Sequence, residues 1–167
     1  MTRQISSLLS AFILILVINP CSHATNLDEK QGVFSVTLNV ELPDGTAAED
    51  MIVYLEPINP VYPLPINQNT IQISQRNKAF SPYMSVVQKG GSANFLNEDD
   101  ITHHIYSPVG HTKFSFKIRT NQQKKLPSFE QAGEVAMGCN IHDWMSGYIL
   151  VVDTPYFAKS DAQGQAI

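Results

Sequence analysis

Cysteine is almost absent from this chain: two among 167 residues, Cys21 and Cys139. A framework of several disulfides is thereby excluded. Charge is also scarce, at 16% of residues, and acids outnumber bases to give a formal net charge of −4. No polybasic run stands out, so neither nucleic acid nor an anionic membrane surface is an expected partner. Sustained helical periodicity is missing, as is any internal repeat. Only one long apolar run occurs, Leu8 to Ile18, and at eleven residues it is too short to span a bilayer comfortably.

That run has the marks of an export leader. Arg3 supplies the positive start, and Ser22-His23-Ala24 places small residues before a cut after Ala24. Pro20 stands where a lipoprotein signal ahead of Cys21 would need a small residue. Export to the periplasm with loss of residues 1–24 is therefore expected, and it removes Cys21 and Arg3 together. The mature chain then carries Cys139 as its one thiol in an oxidising compartment, which rules out an internal disulfide. A lone thiol there has to be buried or bound to a metal.

What remains reads as strands. Phe34, Val36, Leu38, Val40 and Leu42 alternate with polar residues, predicting a half-buried strand over 33–42 that ends at the turn Pro43-Asp44-Gly45. Met51–Pro57 predicts a second strand. Pro57, Pro60, Pro63 and Pro65 then forbid a sheet ladder and predict an extended surface connection. Further strands are expected at 71–73, 80–87, 92–97, 104–107, 114–118, 134–138 and 147–153, separated by Gly, Pro and Asn turns. Short strands at this spacing predict an all-β antiparallel sandwich or barrel with Greek-key connections. Residues from Phe157 onward are small and polar, and they predict a frayed tail.

The chemistry concentrates between Gly138 and Gly147. Cys139-Asn140-Ile141-His142-Asp143-Trp144-Met145 sets a thiol, an imidazole and a thioether three residues apart, and His103-His104 offers another imidazole upstream. Two imidazoles, a thiolate and a weak axial thioether are the donor set of a type 1 copper electron-transfer site. Glycines on both sides and flanking β patterns favour a loop between two strands over a helix face. Zinc held by Cys139, His142, an upstream His and Asp143 or water is an alternative, with Met145 as an ordinary hydrophobe. A Cys139 nucleophile with His142 as base is another. Covalent haem is excluded, because it needs two cysteines before the His. Neighbouring strand residues face opposite ways, so only one of His103 and His104 can face an ion. The other would be exposed or would orient a ligand from behind. His111 lies in a turn and reads as surface. Trp144 either shields the metal or packs.

Several segments together resemble the cupredoxins (plastocyanin, azurin, amicyanin): Phe80-Ser81-Pro82, Val86-Val87-Gln88-Lys89-Gly90, Phe95-Leu96-Asn97-Glu98-Asp99, His103-His104-Ile105 and Cys139-x-x-His142-x-x-Met145. The short His–Met gap most resembles amicyanin, and the wording around Cys139 is similar to exported cupredoxin-like proteins often labelled methylamine utilization proteins. The resemblance spans residues 71–153 and implies a Greek-key cupredoxin sandwich with one copper ion held by His103, Cys139, His142 and Met145. In that family the first ligand His is followed by Asn, so His103 takes the ligand position and His104 departs from the pattern. The implied organisation is a leader at 1–24, an N-terminal β elaboration with its proline-rich connection at 25–70, the copper domain at 71–153 and a polar tail at 154–167. The implied role is a monomeric electron carrier between redox proteins. The same resemblance implies that it is not an enzyme and that the edge of His142 serves as its electron port, and no membrane anchor is expected once the leader is cut. A copper carrier without redox exchange is the alternative, and a plain β-sandwich interaction module is a third.

Overall fold

The computed structural model describes residues 35–59 and 63–167. The predicted leader and the first two residues of the predicted opening strand lie outside that range. Thirteen strands and no helix make up the described residues.

Two sheets carry the fold. The larger orders five strands as β5 (Met84–Gln88), β11 (His142–Val152), β10 (Gly133–Cys139), β7 (His103–Ser107) and β8 (Phe114–Ile118). The smaller orders β4 (Ala79–Ser81), β3 (Thr70–Arg76), β6 (Ser92–Asn97) and β9 (Gln123–Lys125). Pairing is antiparallel except for β5 with β11 and β3 with β6. The chain repeatedly crosses between the sheets, and the inner faces share one apolar cluster that includes Ile73, Phe95, Ile105, Met137 and Ile149. This is the all-β sandwich expected from the alternating runs.

Period-two alternation explains how the core is filled. Along β6 the side chains of Ala93, Phe95 and Asn97 are buried while Asn94 and Leu96 are only partly covered. Phe95 meets Phe116 of the other sheet edge-on, with ring centroids 5.4 Å apart, and Phe114 at 5.9 Å. Full burial of such a ring stabilises by about 1.5–3 kcal/mol, before the aromatic geometry adds its share.

The flanks depart from expectation. The run predicted as a strand over 33–42 keeps only β1 (Leu38–Asn39), because its one partner is the two-residue β13 (Gln165–Ala166). The predicted turn at Pro43-Asp44-Gly45 is present: Gly45 has φ 83° and the Asp44 carboxylate accepts the Thr46 N–H at 3.0 Å. The proline-rich connection carries no strand among its described residues. The C-terminal residues, expected to fray, are paired instead: β12 (Phe157–Lys159) runs antiparallel to β2 (Ile52–Tyr54). Ser160 fixes this corner, its hydroxyl donating to the Ala48 carbonyl and accepting the Met51 N–H at 2.9 Å. Small polar side chains there serve tight backbone contacts rather than solvation.

Candidate metal centre

Strands β10 and β11 form a hairpin whose turn is only Asn140-Ile141. Pairing runs regularly from Gly133↔Val151 to Gly138↔Ser146 and then jumps to Cys139↔His142. Asp143, Trp144 and Met145 therefore have no opposite residue and form a bulge. The expected loop is thus mostly strand, and the bulge lets two non-alternating residues point inward. His142 and Met145 are buried, while Asp143 and Trp144 are exposed. Gly138 belongs to the same construction. A Cβ there would come within 2.9 Å of the Tyr106 ring, which crosses the strand beside it. Any side chain here would force the Tyr106 ring to move.

Strand β7 delivers the second imidazole. Its burial alternates, with His103, Ile105 and Ser107 inside. His103 is completely buried, and its Nδ1 lies 3.5 Å from the Cys139 Sγ. The Nδ1 of His142 lies 3.7 Å from the same sulfur. All three donor atoms fall within 4.8 Å of one another. Met145 is 2% exposed and joins Cys139 and Met137 in the apolar cluster. His104 points the other way, with Nε2 2.8 Å from the Ser115 hydroxyl and Nδ1 accepting from the Asn140 amide at 3.4 Å. Its carbonyl also accepts the Asn140 N–H at 2.8 Å, pinning the residue that follows Cys139. His111 is exposed, as expected.

Sequence reasoning gave Asp99 no role, yet it organises the back of the site. Its Oδ2 lies 2.8 Å from the His103 Nε2. A carboxylate only accepts, so Nε2–H is the donor, which leaves Nδ1, facing Cys139, as the ring nitrogen available to a metal. The same carboxylate accepts the N–H groups of Asn77 at 2.6 Å and Lys78 at 3.0 Å. Those two residues form the β3–β4 turn with φ of 55° and 59°, which suits a tight two-residue hairpin. Burial pushes the Asp99 carboxyl up, but the Lys78 N–H, His103 and the Asn77 N–H together outweigh it and hold it below the ordinary value. Fully buried Asn97 completes the support by accepting the Asp99 N–H at 2.9 Å and donating to the Ile101 and Ile118 carbonyls. The available signal was the four-residue step from Asp99 to His103, just beyond a buried strand.

The donors fit a first-row metal. With bonds of about 2.0–2.3 Å, two ligands at a wide angle on one ion stand roughly 3.5 Å apart. The sulfur–nitrogen separations of 3.5 and 3.7 Å agree with that. Asp143, the carboxylate of the zinc alternative, is exposed on the outer side of the bulge. A buried thiolate, two imidazole nitrogens and a buried thioether on the same hairpin match soft, redox-active copper better than zinc.

No family model matches the sequence, and no curated protein does. Among solved structures, the likeness is to copper proteins. The chain is similar to a copper-containing nitrite reductase from Thermus scotoductus SA-01, at 20% identity and TM-score 0.46, over 57% of this chain and 27% of that one. It thus spans about a quarter of that reductase's length. It is similar to a purple cupredoxin from Nitrosopumilus maritimus, at 23% identity and TM-score 0.44, over 48% of this chain and 98% of that one. It is also similar to a reduced Cu(I) amicyanin variant, at 17% identity and TM-score 0.45, over 52% of this chain and 85% of that one.

Proposed function

We propose that this protein is an exported type 1 copper protein that carries single electrons between redox partners in the periplasm, working as a monomer. One observation carries the reading. A buried cysteine sulfur stands 3.5 and 3.7 Å from two imidazole Nδ1 atoms, with a buried methionine on the same hairpin. His103, Cys139 and His142 would hold the ion, and the buried Met145 thioether would be a weak fourth donor. Bound copper would supply a one-electron couple, since this donor set suits both of its oxidation states.

The rest is the work of the chain. Asp99 holds His103 from behind, so the ring keeps its orientation as the charge in front of it changes. Cys139 is paired on both sides, to His142 on β11 and Ile105 on β7, which fixes its sulfur. The apolar cluster around Cys139 and Met145 excludes water. With all four donors from the protein, no coordination position is left for a substrate, which favours a carrier over an enzyme. The leader-like residues 1–24 support export, and the mild acidity suits a protein partner rather than nucleic acid.

Voltammetry of the copper-loaded protein tests the role. One copper per chain and a reversible one-electron wave are expected. Tight binding without a reversible wave would make the protein a copper carrier instead.

A further inference from the structure

The donors themselves barely reach the surface. His103 is fully buried, Met145 is 2% exposed, Cys139 4% and His142 8%. The edge of His142, expected as the electron port, is therefore largely covered. What covers that side is the indole of Trp144. Its ring centroid lies 5.2 Å from that of His142 at an interplanar angle of 48°. The same side chain is 69% exposed, an unusual position for a large aromatic ring and for the chain's one tryptophan. The bulge explains the placement: it turns His142 and Met145 inward and sends Asp143 and Trp144 out between them. Trp144 thus touches a donor on one face and solvent on the other.

We infer that the Trp144 indole, rather than the His142 edge, is the surface terminal of the electron route. This rests on the copper reading above. Between two copies of the protein, one electron leaves the reduced copy through His142 and Trp144 and enters the oxidised copy by the same two rings in reverse. One copy loses one electron and the other gains it. No bond or proton is transferred, and the indole stays in its ground oxidation state as a conduit.

The test is electron self-exchange in a mixture of reduced and oxidised copper-loaded protein, read by NMR line broadening, for wild type, Trp144→Phe, Trp144→Leu and Trp144→Ala. The exposed position makes all three variants fold-compatible, and an unchanged visible absorbance checks that the copper site is intact in each. Phe should stay near the wild-type rate, while Leu and Ala should fall by roughly tenfold, about one decade on the rate scale. A wild-type rate in Leu would assign Trp144 to apolar contact, and a faster Ala would make it a shield; either overturns the proposal. A second readout is the emission of this lone tryptophan, which should drop several-fold when Cu(II) is added and recover on reduction. Unchanged emission in protein that has turned blue also overturns it. Failure of the copper reading is distinguishable, because the wild type would then bind no copper and show no visible band.

Discussion

His103 and His104 are neighbours with opposite duties, and the difference is set by which face of β7 each occupies. Alternation along a strand allows one inward imidazole, and that much is legible in the sequence. Which of the two it is depends on strand register, which fully buries His103 and leaves His104 bonded to Ser115 and Asn140. Asp99 was not legible, because its importance comes from a contact with the turn at Asn77-Lys78, distant in sequence. Replacing it tests that contact. Asp99→Asn keeps one acceptor oxygen but turns an amide N–H₂ toward either the Asn77 N–H or the Lys78 N–H and His103 Nε2, and should cost about 1–3 kcal/mol in urea unfolding. Its copper-loaded form should also show a shifted reduction potential, since the tautomer lock on His103 is weakened. The sign of the pH effect follows from the carboxyl's position below its ordinary value. A depressed carboxyl contributes stability that is present above its unfolded-state value and lost as pH falls through its folded-state value. Acid unfolding of the copper-free protein should therefore steepen below the ordinary aspartate range, and the Asn variant should lose that part of the slope.

At the level of elements, alternating runs such as 92–97 and 114–118 are visible because they bury one face. Strand β9 is not, since all three of its residues are exposed and polar. The bulge at Asp143–Met145 also escapes the pattern. Two exposed residues in succession break the period of two, and only the paired partner strand shows that three residues have been inserted. At Gly138 the hairpin is closely approached by the Tyr106 ring. Gly138→Ala should destabilise by about 1–3 kcal/mol through overpacking against Tyr106. The cost should shrink in a Tyr106→Ala background, and a double-mutant cycle in urea measures the coupling. An unchanged cost would place the strain elsewhere in the hairpin.

Across the whole molecule, the sandwich and the meeting of His103, Cys139 and His142 were legible, whereas the use of the C-terminal residues was not. Short, polar C-terminal residues give no periodic signal, yet they pair with β1 and β2. Deleting residues 154–167 removes Phe157 from its partner Tyr54 and should lower stability on the order of 2 kcal/mol. Every proposed donor lies between His103 and Met145, so the truncated protein should still take up copper, which metal analysis would check. The central claim concerns those donors, and the absorption spectrum of the copper-loaded protein tests it most directly. An intense visible band from thiolate bound to Cu(II), at one copper per chain and abolished by Cys139→Ser, is the expected result. A colourless copper-loaded protein, or a band that survives Cys139→Ser, would contradict it.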